Sequence, residues 1–519
     1  MKKMPSENDD KLKSFIYNIL VLLGIGLGIA VRSLHLFRVP LEAPFRLGGL
    51  FYEFSQQILA NNYALPQNIP FYSQSGIPFA YPPLGFYVQA LIIDVFSPPP
   101  FWTVNFLPPL VAMLCVPSFY FLLRSVIASK KIIIGALFAY ALIPSAFINQ
   151  IEAAGLAESF GTLALIWYAY FLIKVEKKQR IIDIFLAGLF LTASIISSPG
   201  SALGVVVFSL LFVGELLINR HYKLVGKMVG VGLIGFIISA PYWATVILNH
   251  GIEIFSAPIS GQFNGVENVS FIARFLESFF EFNYAGGDYA FIWNILILMG
   301  LFWYLFKENW FLPILFFTLA LIPRESVWLI ALVTPLLIGV GISKFALPHL
   351  DRGFKGFSKK SIRLFMFTAI ALAVISTLTL NAILAIEELV SDEEWLISAA
   401  QIEDIEALSK EMPQDAQILV VGNEGILEWA PQIIQREVIN TPYGLEWQPD
   451  ELVVVMEINK VLEEGESWNE ILVILQEEMG IESVYLLSDK SYISNLNENN
   501  VGLIKIAETP LFILEVLSR

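Results

Sequence analysis

Two glutamates, Glu152 and Glu158, interrupt a long apolar stretch in the run Gln150-Ile151-Glu152-Ala153-Ala154-Gly155-Leu156-Ala157-Glu158-Ser159. A carboxylate so close to apolar segments is costly to place and tends to be kept for function. It can take a proton from a hydroxyl or hold a divalent cation. The plain alternative is a solvated turn. Arg324 follows Pro323 at the end of another apolar run and precedes Glu325. Its planar fork suits phosphate oxygens, and an ion pair with Glu325 would suit it as well. Glu53 lies on a stretch where Phe51, Phe54 and Ile58 share one helical face, which predicts a surface helix with Glu53 on its wet side. Arg32, His35 and Arg38 recur every third residue, on one helix face that suits anionic headgroups or the wall of a binding site. The 4 histidines are scattered without metal-ligand spacing, and the single cysteine, Cys115, permits no disulfide within the chain. Asn268-Val269-Ser270 matches a glycosylation sequon, and Asp288 after Gly286-Gly287 reads as a helix cap or an acid of a site. No phosphate-binding loop or dinucleotide fingerprint follows any predicted strand, and nothing marks a nucleic-acid partner.

The elements that carry these residues are membrane spans. Hydrophobic residues make up 56% of the 519 and charged ones 15%, against about 25% charged in a soluble domain. Lipid must solvate most of such a surface. The charge is split: from Glu387 onward there are 28 acidic and 6 basic residues, a net −22, and the rest of the chain carries +7. Apolar runs of the length a bilayer needs appear near 15–37, 103–123, 132–150, 157–173, 181–197, 200–218, 225–247, 289–306, 309–323, 326–343 and 364–386. The run Leu84–Phe96 follows Pro82-Pro83, is short, and contains Asp94, so it is expected to lie on the membrane. Lysines and arginines favour the cytoplasmic side. With Leu84–Phe96 not crossing, every basic loop falls inside: Arg124 to Lys131, Lys174 to Arg180, Arg220 to Lys227, Lys307 and Arg352 to Arg363. The expectation is therefore about 11 spans over residues 1–387, the N-terminus inside and the C-terminus outside. Segments 38–102, 151–158 and 249–288 would be outer. Residues 388–519 form a soluble part, with strands at Gln417–Val421, Ile481–Leu487, Val501–Ile506 and Leu511–Val516, and a helix at Trp468–Met479.

The outer segment runs Glu42-Ala43-Pro44-Phe45-Arg46-Leu47-Gly48-Gly49-Leu50-Phe51-Tyr52-Glu53, and later Tyr81-Pro82-Pro83-Leu84-Gly85-Phe86-Tyr87. It resembles the first outer loop of the GT-C superfamily of membrane glycosyltransferases, where an acid and a tyrosine open a juxtamembrane helix and a Pro-Pro-Leu-x-x-Tyr helix follows. The order of elements is similar too: one span, a long outer loop, two spans, a short acidic turn, further spans and an outer domain. In the C-terminal part, Glu428-Trp429-Ala430-Pro431, Arg436 and Gly444-Leu445-Glu446-Trp447 look like a pattern in a bacterial and archaeal branch of GT-C-like proteins that depend on polyprenyl-phosphate sugars. One departure stands out. Many GT-C enzymes carry an Asp-Glu pair in this loop, and Gly48-Gly49 occupies the corresponding place.

The resemblance implies an α-helical polytopic membrane protein with a C-terminal α/β extracytoplasmic domain. It implies transfer of a sugar from a polyprenyl-phosphate donor to a glycan, lipid or protein acceptor at the outer face of the cell membrane. Glu152, Glu158 and Glu53 would be the catalytic acids, with Glu152 and Glu158 also the ligands of a divalent metal, Mg or Mn. Arg324, Tyr52, Tyr81 and Arg38 would bind substrate. The rival readings are a catalytically inactive GT-C-like scaffold, favoured by Gly48-Gly49, and a lipid or solute transporter, which the lack of an inverted repeat disfavours.

Overall fold

The computed structural model describes residues 7–74, 76–256, 291–322, 326–353, 360–464, 468–490 and 502–518. Arg324, the Asn268 sequon, Asp288 and most of the 249–288 segment lie outside the described residues.

The chain is an integral membrane protein. Among the described residues, 6 helices are long and apolar enough to cross a membrane: Lys11–Phe37, Trp102–Val126, Ala153–Lys178, Pro199–Ile218, Tyr222–His250 and Phe365–Ser391. Large apolar side chains such as Leu22, Leu210, Ile237 and Phe365 point outward from them, where only lipid would accept such a belt. Shorter apolar helices at Ile181–Ile195 and Trp293–Phe306 accompany them. Two expected spans are broken instead of continuous. The run near 132–150 is helical only over Lys130–Leu142. Pro144 then forces short turns at Pro144–Ala146, Ile148–Ile151 and Ala153–Gly155. The run near 326–343 divides into Ser326–Ile330 and Thr334–Gly341, with a wide turn of helix at Ile342–Ala346.

Arg32 is wholly buried, which removes the headgroup alternative of its sequence reading. Its guanidinium donates to the carbonyls of Gly28, Ala141 and Tyr140, each at 3.1 Å. The last two belong to the final turn of the Lys130–Leu142 helix, whose carbonyls have no partner within the helix. The group also lies 4.8 Å from the Phe147 ring centre. His35 is buried beside it and stacks on Phe45.

The Leu84–Phe96 helix has both ends on the side of the C-terminal domain. Tyr81, just before it, meets Trp447, and Phe101, just after it, meets Trp429.

The C-terminal domain is a five-stranded sheet in the order Glu437–Val438, Gln417–Val421, Ser483–Asp489, Phe512–Ser518, Gly502–Glu508. The first three strands are parallel and the last two antiparallel to their neighbours, which gives the expected hairpin. Helices Ala399–Ser409, Glu424–Ile434, Pro449–Glu464 and Trp468–Glu478 cover it. A capping box of Ser398 and Gln401 starts the first, and the Asn423 side chain caps the second.

Candidate functional site at the loop, turn and domain junction

The site is built where three segments meet: the helix Gly49–Ala60 of the 38–102 loop, the turn at Glu152, and the helix Glu424–Ile434 of the C-terminal domain. The loop helix begins at Gly48-Gly49, and its first backbone amides need acceptors. Glu428 supplies them. One carboxylate oxygen accepts from Gly48 at 2.9 Å and Gly49 at 2.8 Å, and the other from Leu50 at 3.1 Å. A negative group here also meets the positive end of the helix dipole. The Trp429 indole donates to the Arg46 carbonyl at 2.8 Å, and the Tyr72 hydroxyl donates to the Glu428 carbonyl at 3.2 Å.

This contact explains the glycine pair. A Cβ on Gly49 would sit 2.8 Å from the Glu428 carbonyl oxygen and 3.1 Å from the Trp429 Cα. At Gly48, φ is +154° and a Cβ would sit 2.6 Å from that of Ala153. The loop and domain backbones approach too closely for any side chain. The place where the resemblance leads one to expect loop acids thus holds a carboxylate from the other end of the chain.

Glu152 faces the same junction. Its carboxylate lies 3.1 Å from Arg46 Nε. Arg46 also reaches Asp392 at 3.3 Å, and its guanidinium lies 5.7 Å from the Trp395 ring centre. Burial raises Glu152 to about 7, opposed by Arg46, with Glu428 pushing it up further. Burial also raises Glu428 to about 7, opposed by the three amides. Two carboxyls near neutrality in one corner are the arrangement that acid and base chemistry uses.

Glu53 is not on a wet face. It is 4% exposed, one turn along the loop helix, and accepts from Gln57 Nε2 at 2.7 Å. Burial raises its carboxyl as well. Phe54 and Ile58 do not face lipid either: they pack with Phe79 and Phe86 beneath the loop. The reason is common to both corrections. The loop helix is covered on one side by Leu84–Phe96 and on the other by the C-terminal domain. Tyr52 packs between Phe101 and Trp429, and Tyr81 among Phe51, Phe54, Phe86 and Trp447. Glu158 is half-buried in the first turn of the Leu156–Lys178 helix. Arg38 is exposed and pairs with Glu387 at 2.7 Å. Among the described residues, Glu53, Glu152 and Glu428 surround the start of one helix. No group of three or more His, Cys, Asp and Glu there is placed to hold a metal ion. Glu152 pairs with the Arg46 guanidinium.

Sequence reasoning passed over Arg46 and Asp392. It singled out the 428–447 pattern without a role, and the structure supplies one: these residues are the face that docks on the loop. Gly444, with φ +85°, lets Ile77 approach a position where a Cβ would be 2.3 Å away.

The fold of the whole chain matches ArnT from Cupriavidus metallidurans bound to undecaprenyl phosphate, over 96% of this chain and 97% of that one, with a TM-score of 0.57 and 11% identity. It matches the oligosaccharyltransferase AglB from Archaeoglobus fulgidus, in complex with an inhibitory peptide and a dolichol-phosphate, over 96% and 74%, with a TM-score of 0.56 and 13% identity. The chain has the GT-C fold. The same archaeal enzyme tethered to an acceptor peptide gives a TM-score of 0.61 at 14% identity, over 92% of this chain and 69% of that one. No family model and no curated protein sequence matches.

Proposed function

We propose that this GT-C-fold protein is a glycosyltransferase that moves a sugar from a polyprenyl-phosphate donor to an acceptor at the membrane surface. The observation that carries the reading is Glu152: a half-buried carboxyl near neutrality, at the corner where loop, turn and domain converge, in a fold shared with ArnT over 96% of the chain. ArnT binds undecaprenyl phosphate and the archaeal enzyme binds dolichol-phosphate and an acceptor peptide, which supports a lipid-linked donor here.

In this reading Glu152 takes the proton of the acceptor hydroxyl. The acceptor oxygen bonds to the sugar carbon, the bond from that carbon to phosphate oxygen breaks, and polyprenyl phosphate leaves. Arg46 keeps Glu152 oriented, and Arg324 holds the phosphate. Tyr52 and Tyr81 wall the site, and Glu158 and Glu53 tune its charge. The archaeal enzyme has been crystallised with Zn and sulfate, but no step here is routed through a metal. The C-terminal domain and the Glu152 turn lie outside the cytoplasm, as the basic loops require.

The inactive-scaffold reading has one observation in its favour: the carboxylate at Gly48-Gly49 is fully engaged by backbone amides. Donor turnover by the purified chain, with and without Glu152→Gln, separates the two.

A further inference from the structure

A second concavity opens on the far side of the loop helix, between the ribbon Asn68–Ile69 and Ile77–Pro78 and the edge of the C-terminal sheet. It encloses about 540 Å³. Carboxamides of Gln57, Asn68, Gln74 and Gln414 line it, together with Arg436 and the acids Asp415 and Glu437. Phe71 and Pro70 form its apolar wall.

The site is held rigidly. Phe71 has φ +75°, a conformation side-chain-bearing residues rarely take, and its carbonyl is pinned by the Val438 amide at 3.0 Å. Arg436 is fixed by bonds to the carbonyls of Pro413, Ile434 and Gln435. Glu437 is met by Gln417 Nε2 at 3.3 Å. One group is left over. Ser73 lines the cleft, is 4% exposed, and its buried hydroxyl has no hydrogen-bond partner among the described residues. A buried hydroxyl without a partner is a cost that a ligand would remove.

The lining selects the ligand. One arginine against two acids disfavours an anion, so phosphate and acidic sugars fit poorly. The wall is too polar for a lipid chain. Carboxamides and carboxylates present donors and acceptors side by side, as vicinal hydroxyl pairs require. The backbone of Glu437–Val438 is already paired on both sides, with Gln417–Val421 and with Phe71, so a peptide strand finds no edge. We propose that this cleft binds a neutral oligosaccharide, with Ser73 and the carboxamides on its hydroxyls and the Phe71 ring against a sugar face. The cleft does not contain Glu152, and Gln57, which bonds Glu53, is the one described lining residue that reaches toward the transferase site.

The test is binding, not turnover. The full chain in detergent is applied to an array of defined neutral and acidic oligosaccharides. Retention on neutral glycans is expected, weakened about tenfold by Phe71→Ala and by Gln414→Ala, as for one lost hydrogen-bonding or stacking contact. Gln414 is exposed, so its variant folds whatever Phe71→Ala does. No retention on any neutral glycan, preference for acidic ones, or retention indifferent to Gln414→Ala would overturn the proposal.

Discussion

The Glu428 carboxylate accepts a hydrogen bond from the Gly49 amide at 2.8 Å, although 379 positions separate the two in sequence. That bond and its two neighbours join the C-terminal domain to the membrane part at the start of one helix. Most of what is distinctive about this chain follows from it.

Replacing Glu428 by Ala removes one carboxylate and strands three buried amides. The loss expected is about 3–5 kcal/mol, as for breaking a buried charged arrangement. It should appear as a lower thermal midpoint in detergent and as new protease cleavage within 38–102. An unchanged midpoint would mean the junction is held by other contacts.

The glycine pair gives a sharper comparison. Gly49→Ala must push apart two backbones, since the Glu428 carbonyl cannot move as a side chain can. A loss of about 1–3 kcal/mol is expected, the usual range for overpacking. Gly214→Ala, in a helix with nothing within 4 Å, should be neutral or stabilising by up to about 1 kcal/mol. Equal effects at the two positions would remove the close-approach account.

How much of this could be read beforehand depends on range. The apolar helices, the C-terminal sheet and its hairpin were legible because hydrophobic length and period are local properties, whereas 6 of the described helices, against 11 expected spans, are long and apolar enough to cross. The breaks at Pro144 and at Ala331–Val333 were harder, since an apolar run reads the same whether helical or kinked. Glu53 was misplaced on a wet face, and Arg32 was sent to headgroups, for one reason. Both readings assumed that a polar residue beside apolar ones faces solvent, while segments far along the chain bury each: the C-terminal domain and Leu84–Phe96 cover the Glu53 helix, and Ala141 and Tyr140 accept from Arg32. Gly48-Gly49 looked like a deletion of function, and its meaning required seeing Glu428 arrive.

Stability should depend on pH with a definite sign. Glu152 and Glu428 ordinarily titrate near 4.5 and are raised to about 7 in the folded chain. The folded state therefore holds protons that the unfolded state has released between those values. Their contribution is complete below pH 4.5 and is lost as the pH rises through about 7. Thermal midpoints taken from pH 5 to 8 should fall, less steeply in Glu428→Gln. A slope identical in the variant would show that Glu428 does not titrate there.

Catalysis should run the other way. A base must be ionised, so transfer is expected to rise through about pH 7 as Glu152 loses its proton. Removing the Arg46 charge with Arg46→Gln should move that rise to higher pH, because the guanidinium favours the ionised form. A rate profile whose midpoint ignores Arg46→Gln would take the base role away from Glu152.

The most direct measurement follows a labelled polyprenyl-phosphate hexose through the purified chain in nanodiscs, with release of polyprenyl phosphate as the readout. The account predicts turnover by the wild type. Glu152→Gln should slow it by about 100-fold or more, the scale of a lost general base. Arg324→Ala should abolish it, with both variants folded. Full activity in Glu152→Gln and Arg324→Ala would contradict the site. No turnover of any polyprenyl-phosphate sugar by the wild type would contradict the function.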